Sequence, residues 1–181
     1  MSRTPVREAL IQLSSLGFVE MRPHSEVRVT RLTMQAMLDA FEVLADLEGL
    51  AAELAARRMN EDDRERILSL HAVCGDAVGA PDPSTFYDQN IRFHEGIHRA
   101  ARNPFLENTI QSIRRRVSLY RRLRIHQRTR REQSWKEHDL VLKAIMAGDP
   151  DRARQSMRAH IAMHGDMLQD FIAALPASYF S

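Results

Sequence analysis

The chain has 181 residues, 44% of them hydrophobic, 28% charged and only 6% aromatic, the make-up of an ordinary globular protein. Seven glycines and seven prolines are too few for a linker-dominated or turn-rich all-β chain; the single cysteine, Cys74, excludes a disulfide framework or a Cys-rich zinc cage and suits a reducing cytoplasm. A net charge of +2 selects no partner by itself, and no apolar run approaches the ~20 residues needed to span a bilayer, so no membrane partner is expected.

From Ser2 to about Gly17 the apolar residues Val6, Ala9, Leu10, Leu13 and Leu16 recur at helical spacing, with Ser2 as N-cap and Gly17 as stop. The short FVEM and VRVT runs flank a turn-like stretch from Arg22 to Glu26, which predicts a small hairpin. From Thr33 onward the pattern is helical throughout. Thr33 caps a segment carrying Met37, Phe41, Leu44, Leu47, Ala51 and Leu54, and Asn60 caps the next. Gly79, Pro81 and Pro83 interrupt the periodicity before a helix that begins near Ser84. Asn103-Pro104 starts another, running through Ile110, Ile113, Val117 and Tyr120. A fifth spans Arg131 to Ala147, and Gly148-Asp149-Pro150 separates it from a last helix over Asp151 to Ala174. The reading is all-α: six helices in an antiparallel bundle, with a boundary near residue 31 separating residues 1–31 from 32–176.

In the first region Arg3 and Arg7 are four apart and share one helical face, while Val6, Ala9 and Leu10 lie toward the other. That division suits a helix entering the DNA major groove, though an ordinary amphipathic surface helix has it too. Arg22, His24 and Arg28 add cations at the hairpin. The run Ser2-Arg3-Thr4-Pro5-Val6-Arg7-Glu8-Ala9-Leu10, followed by LGFVE, RP and VRV, resembles the recognition helix and wing of the GntR family of bacterial winged helix-turn-helix regulators. The resemblance implies that Ser2, Arg3, Thr4 and Arg7 contact operator DNA, with Arg22 and Arg28 on the wing. Glu26 stands where the family's wing usually has glycine, and a carboxylate near phosphate weakens contact. The family's two preceding helices have no counterpart before Met1. The chain therefore reads as a shortened form with a partial winged helix-turn-helix, in which Val6, Leu10 and Leu13 lack their apolar cover. Each such side chain loses roughly 1.5–3 kcal/mol of burial, so weak operator binding is expected.

In the second region Asn90 and His94 are one helical turn apart, His138 lies on a different helix and His160 on the last. Three imidazoles and an oxygen donor facing a bundle core can hold a borderline metal such as zinc or nickel. Eight histidines also form i,i+4 pairs by chance, and His94/His98 and His160/His164 are two more. His71, His98, His126 and His164 are read as surface residues or as residues outside the ligand set, and Asn103 as a helix cap. Asn90-Ile91-Arg92-Phe93-His94, Ala100 to Leu106, Glu137-His138 and Ala159-His160-Ile161 resemble the FCD domain, the effector-binding module of the FadR-like subfamily of GntR regulators. The resemblance runs from about Thr33 to Ala174. It implies a divalent metal on Asn90, His94, His138 and His160, zinc first and nickel or manganese as alternatives, with Asn90 replacing the family's acidic ligand. It further implies a small carboxylate effector, a homodimer on a palindromic operator, and repression. Leu44 occupies the place of an arginine in the family's E-x-R-x-x-L-E pattern, here Glu42 to Glu48, so the acid needs another anchor. One or two of Arg114, Arg115, Arg116, Arg121, Arg122 and Arg124 can turn inward to supply it.

Two other classes compete. A metal-dependent hydrolase needs a general base in reach, and Glu95 and Glu137, next to proposed ligands in sequence, point about 100° away from them by helical geometry. No HExxH, GxSxG or glycine-rich phosphate loop occurs. A metal-free structural adaptor is the other, and metal analysis separates it from a regulator.

Overall fold

The structure, a computed structural model, describes residues 3–15, 19–21, 26–29, 33–124 and 126–162. Helix α1 (Arg3–Ser15) is followed by strands β1 (Val19–Met21) and β2 (Val27–Val29), which pair antiparallel with Glu20 opposite Arg28. Val6, Ile11 and Leu13 stand 57%, 49% and 40% exposed, so the apolar side of α1 is left open within this chain. Ser2 and Arg22 lie outside the described residues, as does the His24 turn.

Helices α2 (Met34–Arg58), α3 (Glu61–Asp76), α4 (Pro83–Ala100), α5 (Pro104–Arg116), α6 (Ser118–Arg124), α7 (Arg128–Met146) and α8 (Pro150–Ile161) form the bundle. Local chemistry fixes most of their ends. Thr33 accepts from the Ala36 amide, Asn60 and Asp63 form a reciprocal capping box, and Asn103 and Asp149 cap helices that begin with proline. Each arrangement satisfies amides that a helix start leaves without partners.

Seven helices occur between residues 34 and 161 where the sequence reading expects six. The expected single helix from Pro104 through Tyr120 breaks at Val117, whose fully buried side chain marks the bend. The Ser118 carbonyl there accepts from the Tyr87 hydroxyl at 3.5 Å. Helix α4 begins at Pro83 rather than near Ser84 because Asp82 supplies the cap, and α7 begins at Arg128 rather than Arg131. Helix α8 ends at Ile161, where Ala162 turns extended, and the expected continuation to Ala174 lies outside the described residues.

Helix α2 is the axis of the bundle, packing on α4, α5, α7 and α8. Its buried Ala51, Ala52 and Ala55 let neighbours approach closely. At Gly49 a β-carbon would lie 3.1 Å from the Arg154 carbonyl oxygen of α8, so only glycine fits that crossing without a shift. Phe41, Phe93, Ile97, Ile110, Ile145 and Met157 fill the core between these helices.

Between α7 and α8, Gly148 has φ +65°, its amide bonds to the Ile145 carbonyl and the Asp149 amide to the Ala144 carbonyl. This is a Schellman stop, and glycine is the residue that takes a left-handed conformation without cost. Gly148→Ala is expected to lower stability by about 1 kcal/mol, read as a reduced urea midpoint with unchanged slope.

Candidate metal centre

Three helices bring His94 (α4), His138 (α7) and His160 (α8) together. Ring centroids are 5.3 Å apart for His94–His138 and His94–His160, and 4.6 Å for His138–His160. One nitrogen of each ring lies within 4.8 Å of the others. His94 and His138 are wholly buried and His160 is 6% exposed.

The opposite edge of each ring is tied to a separate group. His94 Nδ1 lies 3.1 Å from Glu48 Oε2, His160 Nδ1 lies 2.7 Å from Glu137 Oε2, and His138 Nδ1 lies 3.9 Å from Cys74 Sγ. An ionised carboxylate can only accept, so Nδ1 of His94 and of His160 carries the proton and Nε2 keeps its lone pair. Burial foremost keeps His94 and His138 well below the usual imidazole pKa, so both are neutral ligands at pH 7. Burial also pushes the Cys74 thiol up to about 12, which keeps it a thiol beside the cluster rather than a thiolate within it.

Those Nε2 lone pairs face a common point. His94 Nε2 is buried with no hydrogen-bond partner, and His138 Nε2 lies 3.2 Å from His160 Nε2. Two imidazole nitrogens on a tetrahedral ion with bonds of about 2.0–2.1 Å are separated by about 3.3 Å. The donor set therefore fits a divalent ion of zinc's size and preference. Asn90, one turn before His94, is 2% exposed and lines a cavity of about 30 Å³ together with His160, Arg121, Arg130 and Ser134. The structure thus gathers three of the four residues named from sequence into one cluster and places Asn90 on the adjoining cavity wall.

Glu48 is the residue that the sequence reading passed over. It is wholly buried on α2 and accepts from His94 and, at 2.8 Å, from His98 Nε2, while Arg114 Nη1 lies 3.0 Å from its other oxygen. Burial alone would raise its pKa, but Arg114 foremost, then His98 and His94, hold it well below the usual carboxylate range. The signal was its register: Glu48 falls in phase with the buried Phe41, Leu44, Ala51, Ala52 and Ala55 of the same helix.

Other positions differ from expectation. His98 is 1% exposed and bonded to Glu48, so it supports a ligand from inside the core. His71 is also buried, between Phe93 and Trp135, while His126 is exposed and His164 lies outside the described residues. Glu137 does reach the cluster, because it contacts His160 of the neighbouring helix rather than its sequence neighbour His138. Both Glu137 oxygens also receive Arg130, at 3.0 and 3.1 Å. Although burial opposes it, His160 and Arg130 bring Glu137 down to about 2. Losing that charge weakens the orientation and basicity of His160. Glu137→Gln is expected to reduce zinc affinity about tenfold in a competition titration. Of the arginine-rich stretch, Arg114 and Arg121 are the ones that turn inward, at 7% and 8% exposure.

At the amino-terminal end, Thr4 and Arg7 are exposed on α1 and Arg28 is exposed on β2. Arg3 opens α1, but its side chain is outside the described set.

The FCD domain model matches residues 39–163, which contain every member of this cluster. The chain is 29% identical over 163 residues to the probable D-xylose utilization operon transcriptional repressor of Paenarthrobacter nicotinovorans, covering 90% of this chain and 71% of that protein. It is 29% identical over 180 residues to the Exu regulon transcriptional regulator of Escherichia coli K12, covering 88% of this chain and 67% of that protein. Among solved structures, Escherichia coli McbR/YncC superposes with a TM-score of 0.78 at 21% identity, over 96% of this chain and 80% of that one. A metal-free FCD domain superposes at 0.61 and 19% identity, over 80% of this chain and 97% of that one. No helix among the described residues is long and apolar enough to cross a membrane. With the domain model spanning most of the chain and its relatives being regulators of one kind, the protein belongs to the FCD-domain family of GntR-type transcriptional regulators.

Proposed function

We propose that this chain is a ligand-responsive, cytoplasmic transcriptional regulator, acting as a repressor, whose helical region senses a small organic acid through a bound divalent metal. The observation that carries the reading is the convergence of three Nε2 atoms whose rings are each tied from behind, by Glu48, Cys74 and Glu137. His94, His138 and His160 hold the ion, zinc before nickel or manganese, and Asn90 supplies a neutral oxygen at the fourth side. The bound ion contributes a Lewis-acidic positive charge that favours a carboxylate.

The chain's own residues position the acid. Arg121 and Arg130 line the cavity beside Asn90 and His160 and supply the cationic anchor that Leu44 does not. At about 30 Å³ that cavity takes little more than a carboxylate group, so a whole acid enters only as the surrounding side chains part. Such an opening gives the ligand differential affinity for two bundle geometries, which any switch requires.

Residues 1–31 form the DNA-reading part in this proposal. Ser2, Arg3, Thr4 and Arg7 of the first helix and Arg22 and Arg28 of the hairpin face operator phosphates and base edges. A homodimer places two such units on a palindromic operator, and residues 32–176 couple acid binding to their spacing.

Metal analysis combined with thermal unfolding against a panel of hydroxy-, keto- and dicarboxylic acids tests the proposal. The expected result is one divalent ion per chain and stabilisation by one acid that disappears on chelation. Stabilisation by an acid that survives complete chelation would separate sensing from the metal and contradict it.

A further inference from the structure

A second cavity, of about 220 Å³, opens between α4, α5 and α6, with His98, Arg114, Arg115, Arg121, Glu95 and Tyr87 among its walls. Two of these side chains are more than nine-tenths buried and carry polar atoms without a hydrogen-bond partner, namely His98 Nδ1 and Arg114 Nη2. Their other nitrogens fix what these atoms can do. His98 Nε2 donates to Glu48 at 2.8 Å, so in the neutral ring Nδ1 is an acceptor. Arg114 is held by Glu48 through Nη1, and a guanidinium nitrogen can only donate. One wall therefore presents an orphan donor and an orphan acceptor, side by side on α5 and α4. Three guanidiniums stand against the single Glu95 carboxylate around it, which favours an anion. Buried groups left unsatisfied are costly, and a ligand matching both removes that cost.

We propose that this cavity binds a small oxyanion that also carries an O–H donor, of which hydrogenphosphate is the simplest example. The oxyanion accepts from Arg114 Nη2 and from the more exposed Arg115, and its hydroxyl donates to His98 Nδ1. The space exceeds what an inorganic phosphate fills, so a small hydroxylated organic body fits beside it. Arg121 lines this cavity and the one beside His160, so an anion in either place shares that wall. The proposal is independent of the metal reading, because it involves none of the three metal-binding imidazoles.

Calorimetric titration of the chelator-treated full chain with inorganic phosphate and with sulfate, at pH 7.5 and constant ionic strength, tests it. Both anions are tetrahedral and doubly charged there, but only phosphate retains an O–H. Phosphate is expected to bind one per chain and at least about tenfold tighter than sulfate. His98→Ala should narrow that preference toward equality. Arg114→Lys, which keeps the charge but loses the fork, should weaken phosphate about tenfold. Arg115→Ala, an exposed position that carries the test should Arg114→Lys misfold, should weaken it a few-fold. Arg57→Ala, a surface arginine paired with Glu53, should change nothing. Equal affinity for the two anions, no saturable phosphate binding below about 10 mM, or loss on Arg130→Ala with none on Arg115→Ala would overturn the proposal.

Discussion

His138→Gln is expected to abolish high-affinity zinc binding while leaving a folded chain. The ring is wholly buried and stacks on Phe93 at 4.5 Å, and glutamine keeps most of its volume there. What is lost is one of three nitrogen donors. Removing a residue that merely orients a ligand costs 10–100-fold in metal affinity, so losing a ligand itself should cost more than about 100-fold. The effect is also readable as stability. A ligand at about 1,000 times its dissociation constant stabilises the native state by about 4 kcal/mol, which for a domain of this size is about 10 °C in Tm. The wild-type chain should show that rise on zinc addition, and His138→Gln should show little of it while unfolding near the wild-type metal-free temperature. An equal zinc response in both proteins would place the ion elsewhere.

Glu48→Gln is expected to be the most damaging single substitution in the core. Its carboxylate is the negative charge in direct contact with Arg114, His94 and His98 at a wholly buried position. Glutamine keeps the shape but leaves the Arg114 guanidinium without its counter-ion. Breaking a buried ion pair from one side costs about 3–5 kcal/mol, because the remaining charge stays desolvated. The glutamine amide can also turn a donor toward His94 Nδ1–H, and zinc affinity should fall with stability. Arg114→Met placed on Glu48→Gln removes the stranded charge and should recover part of the loss. Urea unfolding of the two single variants and the double variant measures the coupling. Additivity within about 0.5 kcal/mol would mean that the pair does not act as a unit.

Helix caps and apolar registers are local, and they were legible. Thr33, Asn60, Asn103 and Asp149 each cap where the sequence placed a start or a break, and the glycine after α7 takes the expected left-handed turn. The split at Val117 was hidden because its flanking apolar residues stay in helical phase across it, so nothing in the periodicity marks a break. His94, His138 and His160 were recognisable from the words around them, and their packing into one cluster required the fold. The supporting groups were harder to see, since contacts such as Glu48–His94 and Glu137–His160 join residues 46 and 23 positions apart. A charged residue in phase with an apolar helix face was their trace in the sequence. Glu48 on α2 and Arg114, one turn beyond the buried Ile110 on α5, both show it.

Zinc K-edge absorption on the stoichiometrically loaded chain examines the coordination itself. Three imidazole nitrogens at about 2.0–2.1 Å, with a light oxygen or nitrogen atom completing the shell and no sulfur, are the expected result. A sulfur at about 2.3 Å, an all-oxygen shell, or loading well below one ion per chain would contradict the assignment of His94, His138 and His160 as the metal's ligands.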